Sequence, residues 1–542
     1  GPPAYSYDPY KYEENYVREE DIDFIATKGF NSIRLPLHYS KLSPEPGVHL
    51  ESGFSQIDDL LVWCQANQMY LILDMHCAPG GQNHLNISDS NGEALLWTVE
   101  ANQEHTIELW QYIAGRYANE RWIGGYDLLN EPVLPDGYDN SHLRDLYIQI
   151  TDAIRMADTN HIIFIEGNWF ATDFSALTPP FDDNMVYAFH KYWNNPDQES
   201  IDNYITMSEA WDVPLWLGES GENSNHWFAE TIQLAESNNI GWNWWTHKKL
   251  DTITSPLSAV IPTNYQTILD YWNDEGPQPP SYVAFAGLMQ MAESLLIENC
   301  MENDDVWMAL TDDNYLQENI PWADHQIPGV IHVTDYDMGN NGVGYLDMDY
   351  MISDGDNSNS WNQGWQYRND GVDIEVCQDA DIPYNIGWTE DGEWLEYTVD
   401  VEMTRYYDVT FSISGYGGGW FNLMSGDEVL FPPVSVTNTG GWQTWLDLTI
   451  SNILLTEGVQ VLRFNIHQGG FNVSKMEFLI SGTTGDLTMD GAVDVLDLVM
   501  LVDIILNGTE DSYQLWASDI NEDSEVDVLD VVLLVDWILA DG

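Results

Sequence analysis

Tyr126-Asp-Leu-Leu-Asn-Glu-Pro132 is the stretch that decides the reading of the chain. Residues of strand character run into an Asn-Glu pair, and a proline stops them at once. A carboxylate at the end of a buried strand is costly unless a site uses it, so Glu131 calls for a partner. Pro214-Leu-Trp-Leu-Gly-Glu-Ser220 supplies one, as a second short apolar strand that ends on Glu219. Two carboxyls at strand ends facing one cleft can break a glycosidic bond: one protonates the leaving oxygen and the other attacks or activates water.

Outward from these two acids, helix-like and strand-like segments alternate between Asn15 and about Gly276, which predicts a parallel sheet with helical crossovers. Candidate strands are 32–37, 70–74, 125–129, 162–166, 185–190, 215–219 and 241–245. They carry or run into Arg34, His76, Asn130 with Glu131, Asn168 with Trp169, His190 with Tyr192 and Trp193, Glu219, and Trp245. Chemistry at successive carboxyl ends is the pattern of a (β/α)8 TIM barrel. A first strand should precede the helix at 19–28, yet residues 1–12 are rich in Pro, Tyr and Gly and show none.

The chain of 542 residues is too long for one core, and 44% hydrophobic residues with 24 Trp make its domains packed ones. Its formal charge of −73 excludes a nucleic-acid binder, disfavours anionic membranes and suits a neutral substrate. Cys64, Cys77, Cys300 and Cys377 have no C-x-x-C spacing, which argues against a metal or redox site and leaves disulfides open. No apolar run approaches the roughly 20 residues of a membrane span. The start at Gly1 shows no signal-like segment, as expected of a mature or trimmed form.

Pro277 to Pro280 breaks the chain, and 281–297 reads as an amphipathic helix. A polar, Pro-containing connection at 312–326 ends the barrel domain, 1–311. Short alternating runs then fill 327–482, among them 394–399, 407–413, 444–450 and 459–466, with Gly-, Asn- and Asp-rich turns; this predicts an all-β sandwich of the jelly-roll kind. The last segment, 483–542, holds an internal repeat. Asp486, Thr488, Asp490, Asp494 and Asp497 recur 33 residues on, from Asp486 to Asp519, as Asp519, Asn521, Asp523, Asp527 and Asp530. Oxygen ligands at loop positions 1, 3, 5, 9 and 12 match EF-hand-like Ca2+ loops, and an apolar helix follows each. No Lys or Arg follows Lys475, so without a divalent ion these carboxylates would repel one another.

Three resemblances follow. Phe30-Asn-Ser-Ile-Arg-Leu-Pro36, Leu73-Asp-Met-His76, Leu129-Asn-Glu-Pro132, Phe189-His-Lys-Tyr192, Leu217-Gly-Glu219 and Gly241-Trp-Asn-Trp-Trp-Thr246 resemble the successive strand ends of glycoside hydrolase family 5, a family of retaining β-glycanases that includes cellulases. The resemblance implies Glu131 as general acid/base and Glu219 as nucleophile, with Asn130 on the sugar 2-hydroxyl. It further implies that Tyr192 hydrogen-bonds Glu219, that Arg34 keeps Glu219 ionised, that His76 and His190 line the cleft floor, and that Trp245 is the sugar platform. Trp169 and Trp193 are expected to be further stacking subsites. Ala78-Pro-Gly-Gly-Gln-Asn83 resembles glucanase members.

Asp370-Gly-Val-Asp-Ile-Glu375, Gly392-Glu-Trp-Leu-Glu-Tyr397, Thr439-Gly-Gly-Trp-Gln-Thr-Trp445 and Gly469-Gly-Phe-Asn472 resemble carbohydrate-binding module family 6. This implies a glycan cleft with Trp388 and Trp442 on either side of a sugar and Asn472 on its hydroxyls. The structural Ca2+ that family often holds would meet Thr334 where a carboxylate is expected. The paired loops resemble a type I dockerin, implying a cohesin or scaffold partner. Ser524 replaces the loop glycine of the second copy, and Val495-Leu496 and Val528-Leu529 make the usual recognition positions apolar.

The expectation is a secreted, extracellular, retaining endo-β-1,4-glucanase acting on β-glucan, with Ca2+ in the docking module, no cofactor for catalysis, and no nucleic-acid or membrane partner. A β-1,3- or mixed-linkage glucanase, a xyloglucanase and a mannanase are the alternatives within the class. A non-catalytic glycan-binding adaptor is the alternative of another class, disfavoured because both glutamates keep Arg34, Asn130 and Tyr192.

Overall fold

A computed structural model describes residues 10–348, 361–378, 381–488, 492–509, 511–521 and 523–540, and divides the chain into two compact units, Gly1–Asp312 and Asp313–Gly542. In the first, seven strands lie parallel in chain order: β1 (Ser32–His38), β2 (Tyr70–Cys77), β3 (Ile123–Asp127), β4 (Ile162–Glu166), β5 (Met185–Lys191), β6 (Leu215–Ser220) and β7 (Gly241–Trp242). All seven coincide with stretches expected from the sequence. Their interiors are nearly continuous apolar runs because helices cover the outer face while side chains fill the inner one. Helices Glu51–Ala66, Glu100–Tyr117 and Asn140–Arg155 supply Phe54, Ile57, Trp110, Ile113, Tyr147 and Ile150 to a core shared with Leu71, Leu73, Tyr126, Ile163 and Tyr187 of the sheet.

This sheet has seven strands among the described residues, where the TIM barrel has eight. Helices Tyr10–Tyr16 and Glu19–Thr27 lead into β1, and residues 1–9, where a first strand would precede them, lie outside the described residues. Phe30, just before β1, meets Trp242 of β7 edge-on at 5.5 Å and Trp307 at 6.1 Å. Aromatic packing thus stands at the two sheet ends where a backbone ladder would close a complete barrel. The helix expected at 281–297 spans Ser281–Ser294 and packs on helices Thr263–Trp272 and Tyr10–Tyr16.

The second unit contains two β-sheets and a helical module. One sheet is built on Trp394–Val401, Gly458–Gln468 and Trp420–Ser425, the other on Asn472–Ile480, Arg405–Gly415 and Gly441–Leu455. Their facing residues, including Phe411, Phe421, Phe464, Phe471 and Phe478, form one core, as the alternating patterns require. Asn319 and Ile320, from the stretch read as a connection, bond to Glu396 and Met338 of this unit. In the helical module, Val495–Asn507 and Val528–Ala540 place Leu501 and Leu534, equivalent in the repeat, in one small core with Tyr513 and Ile520. Arg405 of the sandwich stacks on Trp516 of helix Ser512–Ser518, 3.7 Å from the ring centre. All four cysteines are free, and no described helix is long and apolar enough to cross a membrane.

Candidate active site

Arg34 organises the centre of the barrel. It is fully buried on β1, and its guanidinium reaches Asp127 (Nε to Oδ2, 2.9 Å), Glu219 (Nη1 to Oε1, 3.0 Å), Asn130 (Nη2 to Oδ1, 2.9 Å) and Glu166 (Nη2 to Oε1, 3.0 Å), with Asp74 at 3.2 Å. Five donors in a rigid fork are what such a ring of acceptors needs. The acids converge because parallel register sets them level: Asp74 of β2 lies opposite Asp127 of β3.

Glu131 and Glu219 meet through His190. The Nδ1 of His190 is 2.8 Å from Glu131 Oε1 and 3.3 Å from Glu219 Oε2, and an oxygen of each carboxylate and a ring nitrogen all lie within 4.8 Å of one another. Tyr192 donates its hydroxyl to Glu219 Oε2 at 3.0 Å. His76 hydrogen-bonds Asp74 at 2.8 Å and lies parallel to Trp245, ring centres 5.2 Å apart. The loop 78–83 braces the acid from behind: the Gln82 amide donates to the carbonyl of Asn130 (2.7 Å) and that of Asn83 to the carbonyl of Glu131 (3.0 Å). Glu131 itself has a φ of 46°, left-handed and unfavourable for a residue with a Cβ, which these bonds hold in place. So Arg34, His76, Asn130, Glu131, His190, Tyr192, Glu219 and Trp245 come together. Trp169 and Trp193 follow β4 and β5 in the chain and are 63% and 64% exposed.

Burial opposes the charge on Arg34, but Asp74, Asp127, Glu219 and Glu166 outweigh it and hold the guanidinium well above its ordinary value. Burial, reinforced by Glu166, pushes Asp127 well up. For the pair itself the directions differ from the sequence expectation of an ionised Glu219. Burial raises Glu219 and prevails over His190 and Arg34, whereas on Glu131 the hydrogen bond and charge of His190, with His76 and Arg34, overcome burial and lower it. The reason is the cationic imidazole, which sits closer to Glu131 than to Glu219.

Asp74, Asp127 and Glu166 were not among the residues singled out in the sequence. Each is an acid within or ending an apolar strand, the same signal that points to Glu131. Glu166 also accepts the backbone N–H of Glu131 at 2.6 Å.

In the sandwich, both N–H groups of Asn472 are taken, by Glu375 Oε1 (2.8 Å) and the carbonyl of Trp442 (2.9 Å), which leaves its Oδ1 for a ligand. Glu375 Oε1 also accepts from Asn385 (3.2 Å) and Gln443 (2.7 Å), a network the sequence did not reveal. Trp442 and Trp388 are half-exposed, and a Cβ on Gly387, beside Trp388, would lie 3.5 Å from Asn472 Oδ1. The three residues therefore share one neighbourhood.

In the helical module the two loops repeat each other's bonding. Asp497 accepts the N–H groups of Thr488 (2.9 Å) and Asp494 (2.8 Å), and Asp530 accepts those of their equivalents Asn521 (3.3 Å) and Asp527 (2.8 Å), and that of Ile520 (2.8 Å) as well. Asp497 and Asp530 are fully buried in a module without a basic residue, and the donor set is all oxygen, so the residues present fit a hard divalent cation. Asp486, Thr488, Asp494, Asp519, Asn521, Asp523 and Asp527 lie in the same two loops; Asp490 lies outside the described residues. Ser524 takes a φ of 68°, the conformation the loop glycine otherwise provides.

A parallel barrel with two carboxyls this close at its strand ends defines a glycoside hydrolase. The signature of cellulase (glycosyl hydrolase family 5) matches residues 5–251, that of carbohydrate binding module family 6 matches 363–479, and that of the dockerin type I domain matches 484–539. Endoglucanase C of Acetivibrio thermocellus is 33% identical over 302 residues, covering 44% of this chain and 86% of that protein. A β-xylosidase of Phanerodontia chrysosporium is 36% identical over 187 residues, and the chain spans 39% of its length. A probable glucan 1,3-β-glucosidase A of Aspergillus fumigatus is 27% identical over 194 residues, with 44% of its length covered. Among solved structures, the endoglucanase Cel5A of Thermotoga maritima is similar at 18% identity, over 42% of this chain and 82% of that one, with a TM-score of 0.37. The chain belongs to glycosyl hydrolase family 5, and carries a family 6 carbohydrate-binding module and a type I dockerin, a module of a calcium-binding, scaffold-docking kind.

Proposed function

We propose that the chain is a secreted, retaining endo-β-glucanase that hydrolyses internal β-1,4-glucosidic bonds of cellulose or a related β-glucan. The observation that carries this reading is the approach of Glu131 and Glu219, one carboxylate oxygen of each lying within 4.8 Å of the other. A retaining pair needs about 5–5.5 Å, whereas an inverting pair leaves about 6.5–9.5 Å for water. Glu219 attacks the anomeric carbon while Glu131 gives its proton to the leaving oxygen; water then enters with Glu131 as base and frees Glu219. Arg34 and Tyr192 hold Glu219 in line, Asn130 holds the 2-hydroxyl, and Trp245 with Trp169 and Trp193 offers stacking faces. The reaction uses the chain's own side chains and water.

The test is reducing-sugar release from carboxymethylcellulose, laminarin and lichenan, with the anomeric configuration of the first product followed by NMR. Activity on carboxymethylcellulose with retention, abolished in Glu219→Gln, is expected. An active Glu219→Gln variant, or an inverted product, ends the assignment. The likeness to a protein named as a probable glucan 1,3-β-glucosidase favours, as second reading, β-1,3- or mixed-linkage glucan, for which laminarin or lichenan would be the better substrate.

The domain limits proposed are 1–311, 327–482 and 483–542, joined by 312–326. The sandwich takes a glycan between Trp388 and Trp442, with Asn472 on its hydroxyls. The loops at 486–497 and 519–530 take Ca2+, and a cohesin-like scaffold module is the partner of the apolar helix starts at Val495-Leu496 and Val528-Leu529. A structural Ca2+ in the sandwich rests on the family resemblance alone, with Thr334 where a carboxylate ligand is expected.

A further inference from the structure

His190 touches a third acid besides the pair. Its Nε2 lies 3.3 Å from Glu166 Oε1, on the opposite edge of the ring from Glu131. Glu166 is itself fully buried at the end of β4 and contacts three parts of the site: the N–H of Glu131 at 2.6 Å, Arg34 at 3.0 Å, and His190. An imidazolium that donates to Glu131 keeps it ionised, and an ionised Glu131 cannot protonate a leaving oxygen. The proton on Nδ1 must therefore cross to Glu131. In that transfer the Nδ1–H bond breaks and an O–H bond forms on Oε1, the imidazolium becomes a neutral imidazole, and the carboxylate becomes a carboxylic acid. The hydrogen that remains on the ring is the one on Nε2, and the negative charge of Glu166 Oε1, 3.3 Å away but not aligned for a hydrogen bond, favours it there.

We propose that Glu166 is a positioning residue of the reaction, holding His190 as the Nε2–H tautomer so that Nδ1 is the nitrogen that shares a proton with Glu131. This rests on the acid/base reading of Glu131. The groups facing His190 are Glu131 after β3, Glu166 on β4 and Glu219 on β6. Around them stand Arg34 on β1, Asp74 and His76 on β2, Asp127 on β3 and Tyr192 after β5. Although burial disfavours a charged ring, Glu166 and Glu219 lead the groups that hold His190 well above its ordinary value. Neutralising Glu166 removes a negative charge beside Nε2, so the proton shared by His190 and Glu131 leaves at lower pH.

The experiment is the pH profile of kcat/KM on cellotetraose for the full chain, Glu166→Gln and Glu166→Asp. In Glu166→Gln the basic limb is expected to move down by about one unit or more, the effect of losing an opposite charge at this range. Glu166→Asp, which keeps the charge, should lose rate with its basic limb near the parent's. A Glu166→Gln profile lowered uniformly, with its limb unmoved, overturns the proposal, because a merely structural role would give that result. Should Glu166→Gln fail to fold, the ring-nitrogen shifts of labelled histidine in the intact parent decide, with His190→Gln identifying the resonance. Above the basic limb a protonated Nε2 is expected, and a protonated Nδ1 overturns the proposal. A Glu131→Gln variant separates the two readings. If it keeps the parent's kcat/KM, the acid/base assignment falls; if it is inactive while the Glu166→Gln limb stays put, only the role of Glu166 falls.

Discussion

Arg34 Nη1 lies 3.0 Å from Glu219 Oε1, and the same guanidinium pairs with Asp74, Asp127 and Glu166. Taking it away leaves four buried acids with only the imidazoles of His190 and His76 beside them. Breaking a buried ion pair typically costs about 3–5 kcal/mol. Arg34→Ala is therefore expected to lower the unfolding free energy of the first unit, measured in urea, by an amount of that order and to abolish activity. Arg34→Lys restores the charge without the fork, so it should recover much of the stability and little of the activity. Variants as stable as the parent would show that the acids around Arg34 balance without it.

The same cluster shows what one sequence could disclose. β1 to β7 were legible because each is a short apolar run stopped by polar or aromatic residues, and Glu131 and Glu219 because an acid stops their strands. Asp74, Asp127 and Glu166 carry a similar signal but sit beside stronger motifs, and their meaning appears only when parallel register brings all three to Arg34. Glu375 stands in a recognisable motif, but its hold on Asn385, Gln443 and Asn472 was not legible, because these partners lie far apart in the chain. The direction of the proton between Glu131 and Glu219 depends on where His190 Nδ1 points, which no spacing encodes.

Trp442 is 47% exposed, meets Tyr416 edge-on at 5.3 Å, and is not part of the sandwich core. Trp442→Ala should leave thermal unfolding of the second unit nearly unchanged. It should weaken retention on a β-glucan affinity gel several-fold, since the indole is the flat apolar face proposed to stack on the sugar. Mobility equal to the parent's would remove Trp442 from the glycan cleft.

The paired loops predict calcium-dependent order at the end of the chain. With Asp497 and Asp530 buried and no basic residue in the module, chelation should speed amide exchange in Val495–Asn507 and Val528–Ala540 while the sandwich strands keep their protection. Ser524→Gly relieves a left-handed backbone worth about 1 kcal/mol and should tighten the second loop's calcium affinity a few-fold. Equal exchange with and without chelator would mean that the helices hold together unaided.

Lys191, next to His190 on β5, gives an unusual pH dependence. Burial lowers its ammonium to about 8, with Asp197 opposing weakly, and its Nζ is held by the oxygens of Asn194, Asn195 and Ser200. The folded pKa lies below the ordinary value of about 10.4, so between the two the unfolded chain binds more protons than the folded one. Stability from this group therefore rises with pH from about 8 to about 10.4, and below 8 the folded state carries the full cost of the buried charge. Lys191→Met, which keeps most of the side-chain volume, removes the titrating group. Denaturant midpoints measured across this window should converge as pH rises, the variant gaining least, relative to the parent, at the alkaline end. A difference between parent and variant that stays constant from pH 7.5 to 10.5 would show that Lys191 does not titrate there.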